Sequence, residues 1–334
     1  MKLGIIGLPG SGKTTVFEAL TQCGSDTGKK AENRISTSSV PDKRVDVLSL
    51  IYKPRKTIYA QVEYLLPGKQ DPLRAVRESD ALIHVIRNFK VYGLKNPEPY
   101  EDFCNLDQEL ILLDLVVAEK RLEKLTAESK KGKKGEPEEL LLLNECCRYL
   151  TDGVPLRNYP HIGASPLLRG YAFLSAKPML VLFNNEDDDE ILPDIKGLSD
   201  RKNCMVIRAK LEQELAQMSK EEAADFLSEF GIAASAKDRV IGRSYEMMGL
   251  ISFFTVGDDE VRAWTIKKGT QAIDAAEVIH TDLKKGFIRA EVLSYDDFMA
   301  AGSFSEARKR GTVRLEGKTY VVEDGDIITI RFNV

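Results

Sequence analysis

The segment Gly7-Leu8-Pro9-Gly10-Ser11-Gly12-Lys13-Thr14 matches G-x-x-x-x-G-K-[ST], and no other stretch limits so tightly what this chain can fold into. An apolar run at residues 3–6 precedes it, and Thr14-Thr15-Val16-Phe17-Glu18-Ala19-Leu20 reads as a helix after it. In that order of strand, loop and helix, glycines let backbone N–H groups turn inward on phosphates, and the helix adds the positive end of its dipole. Lys13, the candidate catalytic group, would reach β- and γ-phosphate oxygens, and the Thr14 hydroxyl could ligate Mg²⁺. A nucleoside triphosphate on a GTPase-like core is the expectation.

Further apolar runs at Ala81 to Ile86, Met179 to Phe183 and Met205 to Ile207 are separated by helical stretches, which predicts a mainly parallel, doubly wound α/β sheet. Between them, Leu115, Ala118, Leu122 and Leu125 recur at helical spacing, and Glu138 to Leu150 is a second helical stretch. An antiparallel helical hairpin is therefore expected to interrupt the core as an arm. Its tip, Lys130-Lys131-Gly132-Lys133-Lys134-Gly135, is either a solvated charge run or a phosphate-contact site. From about Ser252 the texture changes to short strand-like pieces, Arg289 to Leu293, Thr312 to Leu315, Thr319 to Val322 and Ile327 to Phe332, which predict a small β-rich domain. The expected division is 1–104 with 165–250 for the core, 105–164 for the arm and 251–334 for the C-terminal domain.

Asn184-Asn185-Glu186-Asp187 follows the run Met179 to Phe183 and matches N-x-x-D, whose carboxylate can accept from guanine N1 and N2. Asn185 replaces the usual lysine, and an Asn/Asp-rich turn after a strand is the alternative reading. Arg208-Ala209-Lys210 occupies the place of a second loop against the base, or is an ordinary strand-to-helix connection. A carboxylate that helps hold Mg²⁺ and couples the γ-phosphate to a switch loop should end a strand near residues 60–70. The chain there reads Ala60-Gln61-Val62-Glu63-Tyr64-Leu65-Leu66-Pro67-Gly68, with Leu65 where the aspartate belongs. Glu63 could substitute only through a shifted strand register. His84, His161 and His280 read as core or surface residues.

The 334 residues are 43% hydrophobic and 30% charged, enough to bury cores in two or three domains. A formal net charge of −4 gives no global attraction to nucleic acid or anionic lipid, so any such binding must use local patches. The five cysteines show no C-x-x-C spacing, which fits free thiols in a reducing compartment. No apolar run approaches the roughly 20 residues of a membrane span, and the glycine-rich turn comes too soon for a signal peptide, so a cytoplasmic protein with no membrane partner is expected.

Together these segments resemble the Obg-like ATPase (YchF) family, P-loop proteins of the translation-factor GTPase class, along nearly the whole chain. The closest resemblance lies in Glu260-Val261-Arg262-Ala263-Trp264-Thr265, Val278-Ile279-His280-Thr281-Asp282, Lys285-Gly286-Phe287-Ile288-Arg289-Ala290-Glu291-Val292 and the terminal Arg331-Phe332-Asn333-Val334, which look like that family's TGS domain. Glu78 to Arg87 and Arg44-Val45-Asp46 resemble segments of its nucleotide domain. The resemblance implies a G domain with an inserted helical arm, a TGS domain, Mg²⁺-dependent ATP hydrolysis and ribosome association. By position it implies phosphate binding by Gly10, Ser11, Gly12, Lys13, Thr14 and Thr15, Mg²⁺ ligation by Thr14, and an adenine-tolerant base loop at Asn184, Asn185 and Asp187. That family usually has Glu where this chain has Asp187, and the shorter side chain could restore guanine recognition, which keeps GTP open beside the ATP that the resemblance favours.

Two further departures separate the chain from that pattern. The D-x-x-G aspartate becomes Leu65, and the switch after it shortens to Gly68-Lys69-Gln70-Asp71-Pro72. The segment 22–39 has no clear match to the family's second Mg²⁺-binding threonine; Thr27 and Thr37 are nearby, and Gln70 could orient water. The leading expectation is slow, Mg²⁺-dependent hydrolysis of ATP or GTP tied to ribosome or ribosomal RNA contact, with Lys130, Lys131, Lys133 and Lys134 among the candidate contacts. Lys284, Lys285, Arg308, Lys309 and Arg310 are further candidates. The alternatives are a nucleotide-gated ribosome- or RNA-binding module with little or no hydrolysis, and a small-molecule P-loop kinase.

Overall fold

The apolar run behind the glycine-rich loop forms β1 (Lys2–Ile6), and strands on both sides with helices above and below leave Leu3, Ile5 and Ile6 almost without solvent contact. The computed structural model describes residues 1–22, 32–93, 95–130, 136–194, 203–219, 222 and 234–333. The candidates Thr27, Lys131, Lys133 and Lys134 lie outside those residues, and Lys130 closes a helix of the arm.

β1 joins β2 (Arg34–Ser39), β4 (Gln61–Leu66), β5 (Ala81–Asn88), β6 (Met179–Asn185) and β7 (Cys204–Ile207) in a six-stranded sheet of order β2-β4-β1-β5-β6-β7. The pairings β1–β4, β1–β5, β5–β6 and β6–β7 are all parallel. Strand order reverses at β1, so the loop at its carboxyl end occupies the crevice where open α/β sheets bind ligands. Every residue of β6 is buried, as expected of an interior parallel strand.

The arm is built from α4 (Pro99–Lys130) and α5 (Pro137–Thr151). Its helices bury Ile111, Ala118, Leu125, Leu143 and Cys146 in one cluster, and Arg121 pairs with Glu139 at 3.0 Å. α4 begins before residue 105 because its first turns are part of the core: Phe103, Leu106 and Leu110 pack with Leu65, Leu73 and Val76. Asp114 of α4 is fully buried and accepts from the N–H groups of Leu174 (2.9 Å) and Ser175 (2.6 Å), which ties the helix to the segment before β6.

A second six-stranded sheet has the order β11-β10-β12-β8-β9-β3, from β3 (Lys56–Ile58), β8 (Leu250–Val256), β9 (Glu260–Lys267), β10 (Phe287–Ser294), β11 (Arg314–Glu316) and β12 (Asp326–Phe332). The chain forms two compact units, one of residues 1–38 with 63–240 and one of residues 39–62 with 241–334. Residues 39–62, expected with the nucleotide-binding core, belong in the structure to the second unit. β3 pairs in parallel with β9, Lys56 opposite Glu260. In α2 (Lys43–Tyr52), Arg44 donates to Asp324 at 2.7 Å and lies 5.0 Å above the Phe254 ring. Arg44-Val45-Asp46 thus supports the C-terminal sheet rather than the nucleotide domain.

The strand expected at Thr319 to Val322 does not form; Val321 makes only an isolated bridge to Gln271. The bridge sits at the start of the helix Ala272–Ile279, with Ala272 N–H donating to Tyr320 at 2.8 Å and Val322 N–H to Thr270 at 3.0 Å. No helix among the described residues is long and apolar enough to cross a membrane.

Candidate nucleotide-binding site

The loop between β1 and α1 (Lys13–Thr21) turns where only glycine fits. A Cβ at Gly7 would collide with the Val85 carbonyl, and Gly12, at φ +91°, would drive a Cβ into the Asn184 amide nitrogen. Gly12 is also the N-cap of α1 and makes no side-chain cap bond, so the first N–H groups of the helix carry no side-chain acceptor there. The Lys13 ammonium folds back on the loop, donating to the carbonyls of Gly7 and Leu8, both at 2.8 Å. Burial lowers its pKa, since desolvation disfavours the charged form, and an arriving phosphate would offset that. Ser11 is buried, and Thr14, in the first turn, is exposed.

Asn184, at the carboxyl end of β6, joins three parts of the site. Its Nδ2 donates to the Ser11 carbonyl at 3.1 Å, and its Oδ1 accepts from Ala209 N–H at 3.1 Å. Ala209 opens α7 (Ala209–Leu215), so Arg208-Ala209-Lys210 does lie beside the N-x-x-D turn. Asp187 is exposed, and its Oδ1 accepts from Leu211 N–H at 3.3 Å in the same helix start. Arg208 donates to the Asp187 carbonyl at 3.3 Å and pairs with Glu190 at 2.8 Å. The phosphate loop, Asn184, Asp187 and the residues after β7 are thus brought together.

Asn185 is not among them. Neighbouring strand residues point to opposite faces, and Asn185 accepts from Asn88 Nδ2 at 2.9 Å and donates to the Ile191 carbonyl at 2.9 Å. Its amide is engaged at both ends inside the protein. Phe89, absent from the sequence reading, lies against Gly12 at the end of β5. Its position directly after a core strand was the available signal, since parallel strands deliver ligand contacts from their carboxyl ends.

The switch side differs. Leu65 is 2% exposed and packs with Ile6, Leu73, Val76, Leu106 and Leu110. The β1–β4 register pairs Glu63 with Lys2, and the two side chains form a 3.5 Å ion pair at the amino end of β1. At about 3.3 Å per residue, that is more than 10 Å from the phosphate loop along the strand, so Glu63 does not substitute for the aspartate. After β4, Gly68 N–H donates to Asn33 at 2.9 Å, and Asp71 caps a short helix at Arg74 N–H (3.2 Å). Gln70 and Thr37 are exposed. Among the described residues no cluster of His, Cys, Asp and Glu could hold a metal by itself.

His84 sits in β5 with its ring stacked 5.6 Å from Phe103 and with neither nitrogen hydrogen-bonded among the described residues. Burial, with Arg157 and Lys13 adding to it, pushes its pKa down to about 3. It is a neutral core residue, as expected from sequence.

A family model named YchF-GTPase_C, described as a protein of unknown function (DUF933), matches residues 250–333. The chain is 34% identical to the ribosome-binding ATPase YchF of Bacillus subtilis, with 99% of each chain covered. It is 36% identical to the protein of the same name from Haemophilus ducreyi, covering all of this chain and 99% of the relative. Among solved structures, the Schizosaccharomyces pombe YchF GTPase superposes with a TM-score of 0.83 at 28% identity, over 99% of this chain and 97% of that one. With full-length relatives above 30% identity and the same architecture, this chain belongs to the YchF family.

Proposed function

We propose that the chain binds ATP or GTP with Mg²⁺, hydrolyses it slowly, and acts on translation through association with the ribosome. The observation that carries the nucleotide reading is the pair of hydrogen bonds made by Asn184, which links the carbonyl of Ser11 in the phosphate loop to the helix start beside Asp187. One rigid amide thereby couples the place where phosphates would sit to the place where a base would be read. Gly10, Ser11, Gly12, Lys13, Thr14 and Thr15 would hold the phosphates. The exposed Thr14 hydroxyl fits Mg²⁺, which in such sites takes one hydroxyl and completes its shell with phosphate oxygens and water. When bound, that ion supplies countercharge to the β- and γ-phosphates. Lys13 would move from the loop carbonyls to phosphate oxygens. Asp187, with one carboxylate oxygen held by Leu211, supports guanine as well as adenine as the base. Relatives called ribosome-binding ATPases support the ribosome partner and the hydrolysis.

The burial of Leu65 favours a second reading, a nucleotide-gated module with little or no hydrolysis. The kinase alternative draws no support from these relatives. Titration of ATP and GTP with phosphate release measured, with and without ribosomes, separates the readings. Mg²⁺-dependent binding and slow release, both lost in Lys13→Ala, are expected. Binding without release even on ribosomes selects the second reading, and failure to bind either nucleotide removes both.

A further inference from the structure

Helix α1 carries one carboxylate into the interior. Glu18 is 6% exposed, and the other buried side chains of the helix, Val16, Phe17, Ala19 and Leu20, are apolar. Taking a carboxylate out of water is unfavourable unless its oxygens are hydrogen-bonded and its charge is paired. Here each oxygen has its own partner. Oε1 accepts from Arg34 Nη1 at 3.1 Å, and Oε2 accepts from Gln213 Nε2 at 2.5 Å. Glu18 lies four residues after Thr14, so the two share a helix face, one turn apart.

The two partners come from opposite sides of the candidate site. Arg34 opens β2, and Asn33 before it accepts from the N–H of Gly68, which follows β4. The amino end of β2 therefore lies at the carboxyl end of β4, on the switch side of the phosphate loop. Arg34 lies 4.9 Å above the Phe17 ring, and Ser38 donates to the Leu20 carbonyl at 3.1 Å, so alternate side chains of β2 face α1. Thr37 is on the other face of the strand, turned away from α1. Gln213 belongs to α7, whose Ala209 and Leu211 N–H groups hold Asn184 and Asp187 on the base side. With β6 and β7 on one side of β1, and β4 and β2 on the other, a nucleotide read at Asp187 points its terminal phosphate toward β2. An apolar residue at position 18 would fill this place without desolvating a charge, so what the carboxylate adds is the fixed spacing of the two sides.

We propose that Glu18 is a positioning residue for nucleotide binding: through Arg34 and Gln213 it sets the switch-side strand and the base-side helix against Lys13 and Thr14. This role rests on the nucleotide-binding reading and adds to it a residue that touches neither phosphate nor base. Affinities for ATP, ADP, GTP and GDP, measured by calorimetry with Mg²⁺ well below the melting temperature, test it. The full chain is compared with Arg34→Ala, Arg34→Lys, Gln213→Ala and Glu18→Gln, with a thermal melt of each. Arg34→Ala loses a hydrogen bond to a charged group, which should weaken ATP and GTP about tenfold and ADP and GDP no more than about twofold. Arg34→Lys keeps an ion pair with Oε1 and should restore the triphosphates to within about threefold of wild type. Gln213→Ala should weaken all four nucleotides alike, because the base is common to them. Glu18→Gln keeps the shape without the charge and should lie between wild type and Arg34→Ala on the triphosphates. A purely structural cluster would lower the melting temperature while leaving every affinity within about twofold of wild type, and that result would overturn the proposal. Equal losses of di- and triphosphate in Arg34→Ala would overturn it as well. Wild type that binds while the variants match it removes only this role, whereas wild type that binds no nucleotide removes the reading beneath it too.

Discussion

β1 and β4 lie side by side in parallel, with Gly4 opposite Leu65, yet their carboxyl ends do opposite things. β1 runs into a glycine-rich loop over which Lys13 folds and at whose end Thr14 is exposed. β4 runs into Leu65-Leu66-Pro67, and Leu65 joins an apolar cluster with the root of α4. Phosphate binding draws on backbone N–H groups and one lysine within a few consecutive residues, whereas coupling it to hydrolysis requires a carboxylate delivered by a second strand. The turn after β1 has the glycines and the lysine in consecutive residues, while the end of β4 carries a leucine in core packing.

The largest expected effect tests the β4 side. Leu65→Asp removes a buried leucine and buries a carboxylate, which should lower unfolding free energy by about 4 kcal/mol in a urea titration without raising phosphate release. Faster release from a folded Leu65→Asp protein would break the contrast, because the strand end would then be able to turn toward the loop. On the β1 side, Lys13→Ala should weaken ATP and GTP binding by about 2–3 kcal/mol, roughly 30- to 150-fold in Kd, with thermal stability nearly unchanged. Calorimetric affinities within a few-fold of wild type would contradict the role given to Lys13. Asn184→Ala strands the Ser11 carbonyl and the Ala209 N–H, at about 1–2 kcal/mol of stability, and should weaken binding of both nucleotides together. If one nucleotide were lost selectively, Asn184 would be a base reader rather than a brace.

The smallest effect is one of pH. His84 lies opposite Ile6 at the loop end of β1 but faces the same apolar side as Leu65. Its folded pKa of about 3 lies below the ordinary 6.5, so below pH 6.5 the unfolded chain takes up a proton that the folded chain refuses. This group's contribution is present above pH 6.5 and is lost as pH falls toward 3, by about 1.4 kcal/mol per pH unit. His84→Leu should flatten that part of the acid limb in melts compared at pH 7 and 5. An unaltered limb would assign the acid sensitivity to other groups.

Much of the nucleotide site was legible because its pattern is local. The strand, the Gly7 and Gly12 turns and the helix behind them follow from consecutive residues, and the N-x-x-D turn landed beside the loop as expected. That Asn184 braces the loop while Asn185 bonds to Asn88 and Ile191 was not legible, because a motif states spacing while the strand's alternation decides which way each neighbour faces. Residues 39–62 carry no composition change that marks them as part of the second unit.

By itself, then, the sequence determined the phosphate loop, the parallel core, the helical arm and the absence of a carboxylate at position 65, all of which are set by period, turn chemistry or residue identity. Only the tertiary structure decided that Leu65 faces a core, that Glu63 sits at the wrong end of its strand, and that Glu18 meets Arg34 and Gln213. Register and pairing partner are properties of two segments at once. Contacts such as that between Arg44 and Asp324, 280 residues apart, leave no mark on either segment alone.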